Sequence, residues 1–311
     1  MSAVGTKAAG AGALATARAA RVARVGAIGR RPVPPALRRR RVLMAAANHT
    51  MLITVAVIFL TPLIFVTLTA FMTTDQVFSR ALWPDPFRPA NFVDVFRTIP
   101  VVRYATNTLT VASLSTVGVV FSSIPVAYVL SRMRWRGRQA SFVVVLATIM
   151  LPYQVTIVPL YVLFARYGWI PSFKPLIVPL FFGDAFSIFL LRQFFMTIPS
   201  ELSDAARVDG ASEWQIMTRV IVPLAKPAIA AVALFQFLYS WNDFFAPLLF
   251  LTDNPDLWTL AIGLSEFRGL HQVEYNLIMA ASVLFILPVI VLFFLAQRVF
   301  IEGVTLTGVK G

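Results

Sequence analysis

MLITVAVIFLTPLIFVTLTAFM, residues 51–72, holds no charged side chain, and as a helix it is long enough to cross a hydrocarbon core of about 30 Å. Working outward from it, stretches 106–130, 140–165, 175–191, 227–251 and 277–296 share its length and character. Only Asp184 and Asp243 put a charge inside any of them. A soluble core can hold one helix this apolar, but a whole series separated by polar loops points to the bilayer as solvent. The 311 residues are 58% hydrophobic and 13% charged, too apolar for a soluble domain of this length. The expected fold class is an all-α integral membrane protein with about six transmembrane helices.

A formal net charge of +13 raises the question of nucleic acid, but the placement of the charge argues for topology instead. Arg30, Arg31 and Arg38 to Arg41 precede the first span, and Arg132, Arg134, Arg136 and Arg138 lie between the second and third. Arg192, Arg207, Arg219, Lys226 and Arg298 follow the fourth and sixth. The intervening loops carry Asp75, Asp85 and Asp94, and Asp253, Asp256, Glu266 and Glu274. The positive-inside rule then puts both termini in the cytoplasm of a multi-pass protein of the cell (cytoplasmic) membrane, with lipid and not nucleic acid as its surroundings. There is no cysteine, and His49 and His271 are the only histidines, so no metal site and no cofactor bound by this chain is expected.

Residues 1–42 are rich in Ala, Gly and Arg, include Pro32, Pro34 and Pro35, and contain no acidic residue. They read as a disordered basic cytoplasmic tail, although organelle transit peptides share the bias. A cleavable secretory signal fits worse, because the charged region is too long and no small-residue cleavage pattern follows. The first span reads as an uncleaved anchor of a permease-like domain over 43–302, followed by a short cytoplasmic tail over 303–311. In the external loop 73–103, Trp83, Pro84, Pro86 and Pro89 favour turns and extended chain over helix, and the loop could cap the outer face. Pro125, Pro152, Pro159, Pro179, Pro247 and Pro288 invite kinks, which suit a moving gate or ordinary helix packing alike.

The least membrane-like internal segment, 199–226, is PSELSDAARVDGASEWQIMTRVIVPLAK. Its punctuation predicts two short helices. Ser200 can cap one through Val208, and Gly210 can close it in the left-handed conformation. Ser212 with Gln215 makes a capping box for the second, and Pro223 stops it. Ala205 and Ala206 have no bulk to hold another protein surface away, while Asp204 and Arg207 flank them as polar anchors. Asp209 sits at a helix C-terminus, where the dipole disfavours negative charge by about 0.3–1 kcal/mol, so a cationic partner or a local backbone bond should compensate. A solvated loop would accommodate the same residues.

SDAARVDGASEWQIMTRVIVPL resembles the cytoplasmic coupling motif of ATP-binding-cassette importer permeases, in which Glu-Ala-Ala is followed by Gly and then Ile-x-Leu-Pro. Ala205, Ala206, Gly210, Ile221 and Pro223 match. Asp204 replaces the usual Glu with a shorter carboxylate, and Leu224 follows Pro223 where the family's Leu precedes it. NTLTVA from Asn107, LPYQVTIVPLYVLFARYGW from Leu151, FLLRQFFMTIPSELSDAARVDG from Phe189 and FIEGVTLTGVKG at the end are similar to the carbohydrate (maltose and multiple-sugar) branch. There they match the short-tailed partner of a heterodimeric permease pair. The resemblance implies a non-catalytic, inner-membrane sugar-transport subunit whose coupling loop docks on a separate ATPase, with the tail reaching the ATPase pair. It implies as partners two ATP-binding-cassette ATPase subunits carrying ATP and Mg, a second homologous permease, and an extracytoplasmic solute-binding protein. A homodimeric pore would meet the symmetry requirement equally. The chain has no Gly-x-x-x-x-Gly-Lys-Ser/Thr phosphate loop of its own.

Polar residues within spans are costly unless they line water or pair inside the bundle. Gln236, Tyr239, Ser240, Trp241, Asn242 and Asp243 in the fifth span combine hydrogen-bonding groups with aromatic faces, as a hydroxylated, uncharged solute requires. Gln236, Tyr239 and Ser240 share a helical face that Asp243 continues. Tyr153 and Gln154, beside Pro152, form a second candidate cluster, and the role of Asp184 stays open. Interhelical hydrogen bonding would use the same groups. An ion-coupled secondary transporter would use Asp184 and Asp243 differently, but has no need of the Ala-Ala-x-x-x-Gly loop.

Overall fold

The computed structural model describes residues 35–79, 81–267 and 274–307. The expectations placed on residues 1–34, His271 and the last four residues lie outside them. The chain divides into two compact units, Met1–Leu63 and Ile64–Gly311. In the first, helix α1 (Pro35–Thr69) begins inside the stretch read as a disordered tail to residue 42. Proline suits the first turn of a helix, and Ala, Leu, Arg and Met propagate it. From residue 43 to residue 62 its apolar side chains, Phe59 and Leu52 among them, are exposed.

The second unit continues with α2 (Ala90–Thr98), α3 (Val101–Arg132), α4 (Arg138–Ile149), α5 (Tyr153–Arg166), α6 (Ala185–Thr197), α7 (Ser200–Val208), α8 (Glu213–Ile216), α9 (Lys226–Asn242), α10 (Phe245–Leu251) and α11 (Tyr275–Thr307). Leu43–Thr69, Val101–Arg132, Lys174–Thr197 and Tyr275–Gln297 are each long and apolar enough to cross a membrane. Two further helix pairs reach that length and apolarity only together, each bent at a break. α4 meets α5 at 91°, and the helical stretch Glu213–Leu224 meets α9 at 79°. With each broken pair counted once, the described residues offer up to six spans.

The breaks are where the structure departs from six straight helices. In the third span the chain turns at Met150 to Pro152, where Pro152 is extended and cannot donate to the preceding turn. The fourth opens with a turn at Lys174–Ile177 and a 3-10 segment at Val178–Phe182, and α6 starts only after Gly183 at φ +116°. The fifth ends as a helix at Asn242 and restarts at Phe245. Irregular backbone at membrane depth needs partners inside the protein. α3 supplies them: Ser115 donates to the Leu176 carbonyl at 3.1 Å and Ser122 to that of Leu180 at 3.0 Å. Gly118 of α3 lets this segment approach, for a Cβ there would stand 2.7 Å from the Phe181 ring.

The loop 73–103 is more helical than its prolines suggest, because Pro89 precedes α2 instead of interrupting it. Buried Asn91 donates to the carbonyls of Ala70 and Met72 and accepts from Asn276, while Val95 and Ile99 pack with Leu277, Ala280 and Ala281 of α11. α11 itself runs through residue 303 to Thr307, so no break separates a tail there.

Candidate functional site

α7 and α8 form the helix-turn-helix expected from the motif, with two changes at the ends. Pro199, not Ser200, occupies the N-cap position of α7, with no side-chain capping bond, and Ser200 already lies in the first turn. Gly210, at φ +83°, closes α7 as foreseen: Ala211 N–H reaches the Ala206 carbonyl at 2.9 Å and Gly210 N–H that of Arg207 at 3.0 Å. Ser212 and Gln215 make the reciprocal capping box. Pro223 does not stop the second helix. A π-helical segment at Met217–Ile221 leads into Val222–Leu224, and the chain turns at Ala225. Pro223 lies in the last turn of this continuous stretch, and the helix ends two residues later at Ala225.

The motif residues separate by burial. Asp204, Ala205, Asp209, Gly210 and Pro223 are exposed and Ala206 partly so, whereas Ile221 is fully buried beside Val119, Phe195, Ile216 and Val232. Ile221 therefore anchors the elbow to the bundle. The Asp209 carboxylate has no side-chain hydrogen bond or ion pair among the described residues, so the expected local compensation is absent.

A polar chain ties this elbow to α3. Arg207 donates to Asp204 Oδ1 at 2.7 Å and to both Glu213 oxygens, at 2.7 and 3.3 Å. Tyr128 of α3 donates to Glu213 Oε2 at 2.5 Å. The guanidinium is the main cause that holds the Glu213 carboxyl below its ordinary range, and Glu213 in turn raises Arg207. The sequence reading missed Tyr128 and Glu213. Glu213 left only a faint signal as an acid in the first turn of α8, and Tyr128, 85 residues away, left none. Arg132 and Arg192, read as loop charges, belong to the same helical base. Arg132 donates to the carbonyls of Phe195 and Ile198 at the end of α6. Arg192 lies inside α6, 6% exposed, donates to the Leu130 carbonyl and stacks 3.8 Å above the Phe142 ring.

The solute-pathway candidates also divide. Tyr153, Gln236, Tyr239, Ser240 and Asp243 line one cavity of about 720 Å³, together with Asp184. Gln154 is exposed and outside that lining. Trp241 and Asn242 face a second cavity of about 540 Å³, walled by Leu260, Leu264, Ser282 and Phe285. A helix turns 100° per residue, so neighbours in α9 serve opposite sides. Gln236 Nε2 donates to Ser240 Oγ at 2.9 Å. Asp243 does not continue the helical face. It stands in the break after α9, where its Oδ1 accepts from the N–H groups of Phe245 and Ala246. Asp184 does likewise before α6, accepting from Ser187 N–H at 2.7 Å. Both intramembrane carboxylates thus satisfy donors that a helix start leaves open.

Among the described residues no group of three or more His, Cys, Asp or Glu is placed to hold a metal ion.

Residues 118–305 match the family model described as binding-protein-dependent transport system inner membrane component. The diacetylchitobiose uptake system permease protein NgcG of Streptomyces coelicolor is 31% identical over 82% of this chain and 85% of its own length. The sn-glycerol-3-phosphate transport system permease protein UgpE of Escherichia coli is 32% identical over 82% of this chain and 94% of its own. Among solved structures, a chain of a bacterial ABC transporter involved in the import of the acidic polysaccharide alginate superposes with a TM-score of 0.70 at 24% identity, covering 84% of this chain and 97% of that one. That last likeness concerns the fold alone. The broken spans, the Gly-closed elbow and these alignments together place the chain in the family of inner-membrane permease components of binding-protein-dependent, ATP-binding-cassette transport systems.

Proposed function

We propose that this chain is one half of the pore of an ATP-driven importer for a saccharide or a closely related hydroxylated solute. The observation that carries the reading is the elbow of α7 and α8. It presents an exposed, bulk-free surface at Ala205 and Gly210, and Tyr128 and Glu213 connect it to α3, a 32-residue helix that packs against α6 and α9. Motion of an ATPase docked on that surface would pass through Glu213 to α3, which also reaches the cavity at Val111. ATP and Mg would be held on two separate ATPase subunits, and hydrolysis would occur there. A second, homologous permease would supply the other half of the pore, and an extracytoplasmic binding protein would deliver the solute, as the family description implies. The elbow, and with it both termini, would face the cytoplasm, in keeping with the arginines around it. Asp204 and Asp209 would meet cationic groups of the ATPase.

The saccharide assignment draws on a relative named for a chitobiose derivative, and on the aromatic and hydroxyl groups of the larger cavity. The test is purification of the tagged chain in mild detergent, with co-purifying proteins identified and ATP hydrolysis assayed. Recovery of an ATPase with a second permease is expected. A chain that purifies alone and transports without ATP would overturn the proposal in favour of ion coupling through Asp184 and Asp243.

A further inference from the structure

We infer that the 720 Å³ cavity rejects anions, and that the solute it passes is a neutral or cationic hydroxylated molecule, not a uronate or a phosphate ester. The inference rests on reading this cavity as the solute path and deepens it. Its lining holds two carboxylates, Asp184 and Asp243, and among the described residues no Lys, Arg or His. The other polar groups on the wall are Tyr153, Tyr239, Gln236 and Ser240, with Ser187 beside Asp184. Tyr153 and Tyr239 line the same cavity as both carboxylates, so the acids and the hydroxyls serve one space. Each carboxylate is held in place by backbone N–H groups at a helix start. Hydroxyl and amide groups can accept from and donate to sugar hydroxyls, and aromatic faces can cover sugar rings. Among the described residues no cationic side chain on the wall can neutralise a carboxylate or phosphate entering from water, and an anion there would meet two like charges across an apolar surround.

The absence of cysteine in this chain makes the charge of the cavity directly measurable. Ser240→Cys would be introduced into the assembled importer in proteoliposomes. Its modification would be timed with a trimethylammonium methanethiosulfonate and a sulfonate methanethiosulfonate of similar size, each added from either face. Rates would be normalised to those of a small thiol in solution. Any effect of the carboxylates on the thiol itself slows both reagents alike and cancels in the ratio. A carboxylate about 8 Å away through a medium of effective dielectric constant about 40 enriches a cation about sixfold and depletes an anion about sixfold.

The cationic reagent should therefore react about tenfold or more faster, allowing for salt screening. The ratio should fall towards one when Asp184→Asn and Asp243→Asn are added. Asn caps a helix as well as Asp does, so these variants keep the backbone bonds and remove only charge. Should the double variant fail to insert, the ratio for Ser240→Cys alone and with each single variant decides the matter. Equal rates for the two reagents, with the cysteine protected by transported solute, would overturn the inference and leave the solute path standing. No reaction from either face, with a thiol that reacts after denaturation, would remove the path and the inference together.

Discussion

Tyr128→Phe removes one hydroxyl and leaves in place a ring that is only 2% exposed. The bond lost is the 2.5 Å donation to Glu213 Oε2, which joins α3 to the elbow. A hydrogen bond to a charged group contributes about 1.5–3 kcal/mol. The Glu213 side chain is 39% exposed and keeps its contacts with Arg207, so water compensates in part and the lower end, about 1.5 kcal/mol, is expected. The elbow does not come loose, because Ile216, Met217 and Ile221 remain packed against Phe195 and Val232. What weakens is the link that makes α3 follow α7. In the reconstituted importer, solute taken up per ATP hydrolysed should fall by about tenfold, the factor that about 1.4 kcal/mol represents. Hydrolysis itself should change by less than about twofold, and Glu213→Gln should show the same pattern. A Tyr128→Phe protein inserted at the parental level and moving as much solute per ATP would refute the reasoning. The sign of the pH dependence follows from Glu213. Arg207 depresses its carboxyl, so the contribution is fully present above the unfolded value of about 4.3 and is lost only as the pH falls through the lower folded value. Uptake per ATP should show no step between pH 6 and 8 that Glu213→Gln abolishes.

At Gly210 a Cβ would meet nothing within 4 Å, so Gly210→Ala tests the backbone at φ +83° alone. About 1–2 kcal/mol of strain and a partial loss of uptake are expected. Gly210→Trp adds bulk to the exposed turn and should abolish both uptake and ATPase co-purification with insertion intact; normal uptake would show that nothing docks there. Gly118→Ala drives a methyl to within 2.7 Å of the Phe181 ring, which must swing aside, so the melting temperature of the complex should drop; an unchanged value would mean that the 3-10 segment is not packed on α3 as described. Asp243→Ala should lower stability by about 1 kcal/mol through loss of the bonds its carboxylate accepts from the Phe245 and Ala246 N–H groups, while Asp243→Asn does not. Equal stability of the two variants would remove the capping role.

The membrane-spanning character of this chain was legible in sequence because it is a local sum: an uninterrupted run such as 51–72 needs no knowledge of its neighbours to demand a bilayer. The same holds for the turn at Gly210 and the capping box at Ser212 and Gln215, whose bonds join residues three to five apart. Only the tertiary structure revealed that the third span turns through 91°, because composition reports how apolar a stretch is and not which way it points. Asp184 and Asp243 were visible as rare charges. Their role as caps at helix breaks, and their meeting with Tyr153 in one cavity, depend on where each helix stops and on segments distant in the chain. Tyr128 and Glu213 carry the same lesson: each is unremarkable among its sequence neighbours, and their hydrogen bond exists only because α3 packs beside the elbow.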